Sequence, residues 1–210
     1  GVIFADVTGQ LLPGINPQHA QCAAWIDYDR SGDLDLFLGR GSDGTLETDL
    51  MLAYDSPTDR FVDVSAASGL CGQAGATTTV AWADFDADGR WELGKGSTLA
   101  GGSLAMFKQD PAPDGAHFTP VPAAFPADLP LHNLSGVRWA DFDRDNDLDL
   151  LVVRSLDVEA APYICYNSSG ALAQAQLQPV REIALDWASP FDYNLDGGTD
   201  ILFAALGSLT

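Results

Sequence analysis

Apolar residues along the chain fall in short runs bounded by Gly and Asp, not in long stripes. FVDV (61–64) alternates apolar and polar residues, the pattern of a half-buried strand. Segments such as DLDLFL (33–38) and DLDLLVV (147–153) are short and rich in residues that favour strands. No window of helical length carries a 3.6-residue period with caps; residues 171–178 (ALAQAQLQ) come nearest. The pattern predicts an all-β chain.

The strands recur. Trp25, Trp82 and Trp139 lie 57 residues apart, and so do Asp27, Asp84 and Asp141. FADVT at Phe4, FVDVS at Phe61 and FTPVP at Phe118 keep the same spacing. A looser set comprises LMLAYD (50–55), LAMFKQD (104–110) and APYICYN (161–167). A fourth copy is shorter, with Trp187 aligned to the other tryptophans and three extra residues, Ser189 to Phe191, before its loop. Four strands in a unit of this length is the arithmetic of a propeller blade. The expected architecture is one repeat domain over 1–210, a β-propeller-like array of about four blades of four antiparallel strands. The blades fall at 20–66, 77–123, 134–181 and 182–210. Residues 2–8 are expected to complete the last blade, in the same chain or in a neighbouring one.

The turn between the first two strands of each unit carries the chemistry. Counting its first Asp as position 1, positions 1, 3, 5 and 9 are Asp27, Asp29, Ser31 and Asp35 in loop one. Loop two has Asp84, Asp86, Asp88 and Glu92, and loop three Asp141, Asp143, Asp145 and Asp149. Loop four has Asp192, Asn194, Asp196 and Asp200. Position 7, occupied by Asp33, Arg90, Asp147 and Gly198, is counted in the candidate metal set. Position 6 is Gly32, Gly89, Asn146 and Gly197, residue types that tolerate a left-handed backbone. Oxygen donors around a tight turn, with no His or Cys, suit a hard cation, and Ca²⁺ above others because it takes six to eight oxygens. About four Ca²⁺ are expected. An EF-hand opens its loop similarly but needs Glu at position 12, which here is Leu38, Lys95, Val152 and Phe203.

These loops, with the F-x-D-V strands between them, resemble FG-GAP or VCBS-type repeats, and FVDVSAASGL (61–70) is similar to the cartilage acidic protein branch. The resemblance implies a calcium-binding β-propeller of the integrin α-head kind. It implies a secreted, extracellular module without enzymatic activity, used in adhesion, ligand binding or scaffolding. A protein or glycan would be its ligand. Self-assembly into an oligomer or fibre by strand exchange is one alternative, and a carbohydrate-active enzyme or lectin a second.

Composition narrows the partners. The 210 residues hold 30 Asp plus Glu against 10 Lys plus Arg, a formal charge of −20, which opposes binding to nucleic acid or to an anionic membrane. No apolar run is long enough to span a bilayer. Sixteen of the acids lie in the four loops. Asn133 and Asn167 open N-x-S triplets, candidate glycosylation sites. Cys22 and Cys71 sit in comparable turns and could form a disulfide, with Cys165 left over. Trp91, at position 8 of loop two, is expected to pack rather than to contact a ligand.

Overall fold

The computed structural model describes the chain except for residues 1–3, 42–46, 73, 98–102, 112–115, 123, 126–128, 130–133, 155–161, 169, 171, 173–176, 180–186 and 205–210. It is all-β. In chain order the elements are α1 (Thr8–Leu11), β1 (Ala20–Ile26), β2 (Asp35–Arg40), β3 (Glu47–Thr48), β4 (Leu50–Asp55) and β5 (Arg60–Asp63). Next come α2 (Ser65–Ser68), β6 (Ala74–Gly75), β7 (Thr77–Ala83), β8 (Glu92–Ser97), β9 (Ser103–Gln109) and β10 (Phe118–Pro120). The remainder are β11 (Leu134–Ala140), β12 (Asp149–Arg154), β13 (Tyr163–Cys165), β14 (Leu177–Pro179), β15 (Trp187–Phe191) and β16 (Asp200–Ala204).

Three antiparallel sheets have four strands each, in the orders β1-β2-β4-β5, β7-β8-β9-β10 and β11-β12-β13-β14. The pair β15-β16 forms a fourth, two-stranded sheet, and β3 pairs with β6 between the first two units. First strands pack in sequence, β1 on β7, β7 on β11 and β11 on β15. The row does not close into a ring among the described residues. Pro120 lies in β10, at the edge of its sheet, where a missing donor does no harm.

The core lies between sheets. Phe37, Met51, Leu93 and Phe118 fill the space between the first and second, and Met106, Val137, Leu150 and Cys165 that between the second and third. Strand β12 is buried along its whole length because both its faces are covered. Leu150 and Val152 face one neighbour, while Leu151 and Val153 pack with Ala188 of the fourth sheet. This explains why β12 reads as a continuous apolar run whereas FVDV in β5 alternates.

Two expectations change here. Residues 4–7 form no strand in this chain, and Phe4 is fully in solvent. The segment instead turns through α1 and lays Leu11, Leu12 and Ile15 against Leu38, Leu50, Leu52 and Phe61, covering the free face of the first sheet. In the fourth unit the inserted residues are themselves part of the strand, so Pro190 pairs with Ile201 where Trp25 pairs with Leu36. Trp187 is therefore not the structural equivalent of the other tryptophans. Only Leu172, Leu177 and Gln178 of the near-helical segment 171–178 lie among the described residues, and the last two belong to strand β14.

One feature shared by the three four-stranded sheets is not visible in the spacing. The register of each first hairpin slips at the same place, between Ala20 and Cys22, Thr77 and Thr79, and Leu134 and Gly136. Beside each slip one strand supplies a glycine: Gly39 opposite Cys22, Gly96 opposite Thr79, and Gly136 opposite Val153. A Cβ on Gly39 would stand 2.5 Å from Cys22 Sγ and 2.8 Å from Thr77 Cγ2. On Gly96 it would stand 2.9 Å from Thr79 Cγ2 and 3.2 Å from Leu134 Cδ1. Thr77 and Leu134 open the next sheets, so these glycines set how closely successive sheets approach. Gly39→Val should lower the unfolding free energy by about 2–3 kcal/mol in urea titration, as overpacking does. Gly9→Val, where nothing lies within 4 Å, should change it far less.

Candidate metal centre

Each acidic loop is built on one hydrogen-bonded frame. The carboxylate at position 1 accepts the N–H of position 6: Gly32 to Asp27 at 3.1 Å, Gly89 to Asp84 at 2.9 Å, Asn146 to Asp141 at 3.0 Å and Gly197 to Asp192 at 2.9 Å. The position 9 carboxylate accepts the N–H of position 2: Tyr28 to Asp35 at 3.0 Å, Phe85 to Glu92 at 3.1 Å, Phe142 to Asp149 at 2.8 Å and Tyr193 to Asp200 at 3.0 Å. Position 5 caps the N–H of position 7 in all four, through Ser31, Asp88, Asp145 and Asp196. The insertion before loop four leaves this frame intact.

The frame demands a left-handed backbone twice. Position 6 has positive φ in every loop, as glycine and asparagine there suggest. Position 4 does too, at Arg30 (62°), Ala87 (55°), Arg144 (67°) and Leu195 (61°). None of these is a residue that favours the conformation, so no local signal marks it. The loop's own hydrogen bonds hold the residue there.

Within this frame, carboxylates at positions 1, 3 and 9 converge. Asp27, Asp29 and Asp35 offer one oxygen each within 4.8 Å of one another, and so do Asp84, Asp86 and Glu92, and Asp141, Asp143 and Asp149. These three clusters could hold a metal ion. Position 5 stands outside the convergent set, its side chain turned to position 7. Position 7 does not join it either, and the Arg90 guanidinium pairs with Asp88, holding that carboxyl well below the usual range. In loop four Asn194 replaces one of the three carboxylates, and Arg144 of loop three donates to Asp196 at 2.7 Å.

Burial sharpens the case for a cation. Asp35, Glu92 and Asp149 are wholly buried. Burial pushes Asp35 up to about 6 and Glu92 up to about 7, and raises Asp149. Each is an acid placed where its charge is expensive unless a cation is near.

Successive loops are also bridged. Gln109 Nε2 donates to Tyr28 O at 2.7 Å, and Asn167 Nδ2, from the equivalent third-strand position, donates to Phe85 O at 2.8 Å. Arg30 of loop one donates to Gly89 O of loop two and to Gln109 Oε1, and Thr199 of loop four donates to Asp141 O of loop three at 2.7 Å. Trp139 stacks on Phe85 at 5.4 Å, and Trp82 meets Phe37 edge-on at 6.3 Å. Trp91 packs against the same core as Trp82.

Two other sequence expectations are corrected. Asn167 is buried, and its Nδ2 is engaged by two carbonyls, Phe85 and Leu148, leaving the folded chain no room for a glycan; Asn133 lies outside the described residues. All three cysteines are free thiols. Cys22 sits over Gly39 and Thr77 while Cys71 is in the core with Ile26 and Phe37, and burial raises both to about 12. They belong to separate packing environments.

No protein-family model and no curated protein matches the chain.

The raised carboxylates fix a pH dependence. Unfolded, these acids ionise near their ordinary values of about 4. Between there and about 6 to 7 the folded chain holds more protons, so stability falls as pH rises through that window. In chelator, the melting temperature should therefore climb as pH is lowered from about 8 to about 5. With excess Ca²⁺ the slope should reverse, because protons and metal compete for the same oxygens. Differential scanning calorimetry across that range checks both signs.

Proposed function

We propose that the chain is a non-enzymatic, calcium-stabilised module of the β-propeller type, working outside the cell in ligand binding, adhesion or scaffolding. The observation that carries this reading is the convergence of positions 1, 3 and 9 on one point in the first hairpin of three successive sheets. Every donor is an oxygen, so the sites suit a hard cation, and an irregular shell of this kind suits Ca²⁺ better than Mg²⁺, which demands near-ideal octahedral geometry. Position 9 opens the second strand, and positions 1 and 3 lie in the turn that follows the first. A cation there ties the two strands together and relieves the repulsion between clustered carboxylates. Folding and metal are then coupled, and millimolar extracellular Ca²⁺ would hold the sheets in shape.

Exposed apolar side chains on the fourth sheet, Phe191 at 42% and Leu202 at 52%, favour a second reading in which the chain self-associates. Sedimentation with and without Ca²⁺ separates the two: an isolated module stays one size, whereas an assembling subunit grows.

Chelation should lower the melting temperature by several degrees, since a ligand present at 100 times its Kd contributes about 2.7 kcal/mol. Asp143→Ala should reduce that calcium response more than Ser31→Ala, because Asp143 is in a convergent cluster and Ser31 is not. A melting curve unmoved by excess chelator contradicts the reading.

A further inference from the structure

Loop two differs from loops one and three by a coupled pair of residues. Its position 9 is Glu92 instead of aspartate, and the third-strand residue opposite is Lys108. One residue on from the pairs Leu36↔Leu52 and Leu150↔Cys165, the same register sets Ala53 against Asp35 and Tyr166 against Asp149. Loop two alone of the three thus has a cation in its third strand at this point.

That cation is seated among the loop's acids. Lys108 Nζ donates to Asp86, lies 2.7 Å from Asp88 Oδ2 and stands 3.6 Å from Glu92 Oε1. Asp86 and Glu92 are two of the three carboxylates that converge in this loop. Glu92 is wholly buried, and its Oε1 has no hydrogen bond. The corresponding oxygens of Asp35 and Asp149 instead accept the N–H of Tyr54 at 2.8 Å and of Asn167 at 2.7 Å. In loop two the third-strand N–H at that register, Gln109, donates to Trp91 O. The longer Glu92 side chain leaves one buried oxygen facing the ammonium and nothing else in the frame.

We infer that Lys108 is the resident cation of loop two: its ammonium takes the place that a divalent ion takes in loops one and three, and loop two binds no metal while Lys108 is present. An ammonium is a compact charge with three donors, and here it meets Asp86 and Asp88 closely while its charge faces Glu92. A Ca²⁺ at the same point would lie within a few ångströms of a like charge in a partly buried site, where the repulsion is stronger than in bulk water. The inference rests on the calcium reading for loops one and three, and it makes the sites of this chain unequal: two need metal, one carries its own.

The test counts bound Ca²⁺ by native mass spectrometry and by equilibrium dialysis, using the full chain. Lys108→Ala, which installs the residue that sheet one carries at this register, should raise the count by one ion. Lys108→Ala with Asp86→Asn should return it to the wild-type count, locating the new ion in loop two. In the wild type, Asp86→Asn alone should leave the count unchanged, whereas Asp29→Asn and Asp143→Asn should each remove one. If Lys108→Ala does not fold, the Asp86→Asn result decides: a lost ion means that loop two holds metal in the wild type, and the inference is overturned. An unchanged count in Lys108→Ala also overturns it. A wild type that binds no Ca²⁺ sinks the calcium reading of loops one and three, yet one ion gained by Lys108→Ala would still support the role of Lys108.

Discussion

A carboxylate buried at the start of the second strand in each of the first three sheets organises this structure. Asp35, Glu92 and Asp149 are inaccessible to solvent, and each accepts a backbone N–H from position 2 of its own loop. Asp35 and Asp149 accept a second N–H, from Tyr54 in β4 and from Asn167 just beyond β13, so one side chain ties the loop to the third strand or its end. That arrangement is costly for an ion. Two hydrogen bonds to a buried carboxylate offset only part of its lost hydration, and each cluster sets two more acids beside it. On the proposed reading, positive charge at one point in each of the first three sheets completes the fold, from an ion or from a side chain.

The same loops couple one sheet to the next. Gln109 and Asn167 occupy equivalent third-strand positions and each reaches back to the position 2 carbonyl of the preceding loop. That carbonyl belongs to Tyr28 or Phe85, whose own N–H is held by the buried carboxylate. Loop geometry is in this way transmitted to the neighbouring sheet through a single residue. The aromatic rings follow the same path, with Trp82 on Phe37 and Trp139 on Phe85. Distorting one loop should loosen the packing of the sheet that follows it, and the array behaves as linked neighbours, not independent units.

Much of this was legible in the chain. The repeat spacing placed the first hairpins and their loops, and glycine or asparagine at position 6 announced a left-handed turn. Features that depend on register were not legible. Position 4 is left-handed at Arg30, Ala87, Arg144 and Leu195, residues with no preference for it, because the hydrogen-bond frame imposes the conformation. Lys108 is distant in sequence from loop two and meets it only through the pairing of β8 with β9. Asn167 carries a glycosylation triplet that a local reading takes as surface, yet the third strand turns it into the interior. The motif spacing aligned Trp187 with the other tryptophans, whereas strand pairing puts Pro190 there. The N-terminal FADVT repeats the spacing of a strand but forms none in this chain, and the apolar residues after it cover the first sheet.

Site-resolved amide hydrogen exchange, followed by NMR in chelator and then in saturating Ca²⁺, tests the central claim most directly. The N–H groups of Tyr28 and Phe142 donate to the buried carboxylates of loops one and three, and Phe85 does the same in loop two. If a metal completes loops one and three while Lys108 completes loop two, Ca²⁺ should slow exchange strongly at Tyr28 and Phe142 and leave Phe85 comparatively unaffected. Exchange at Tyr28 and Phe142 that is indifferent to Ca²⁺ would contradict the account.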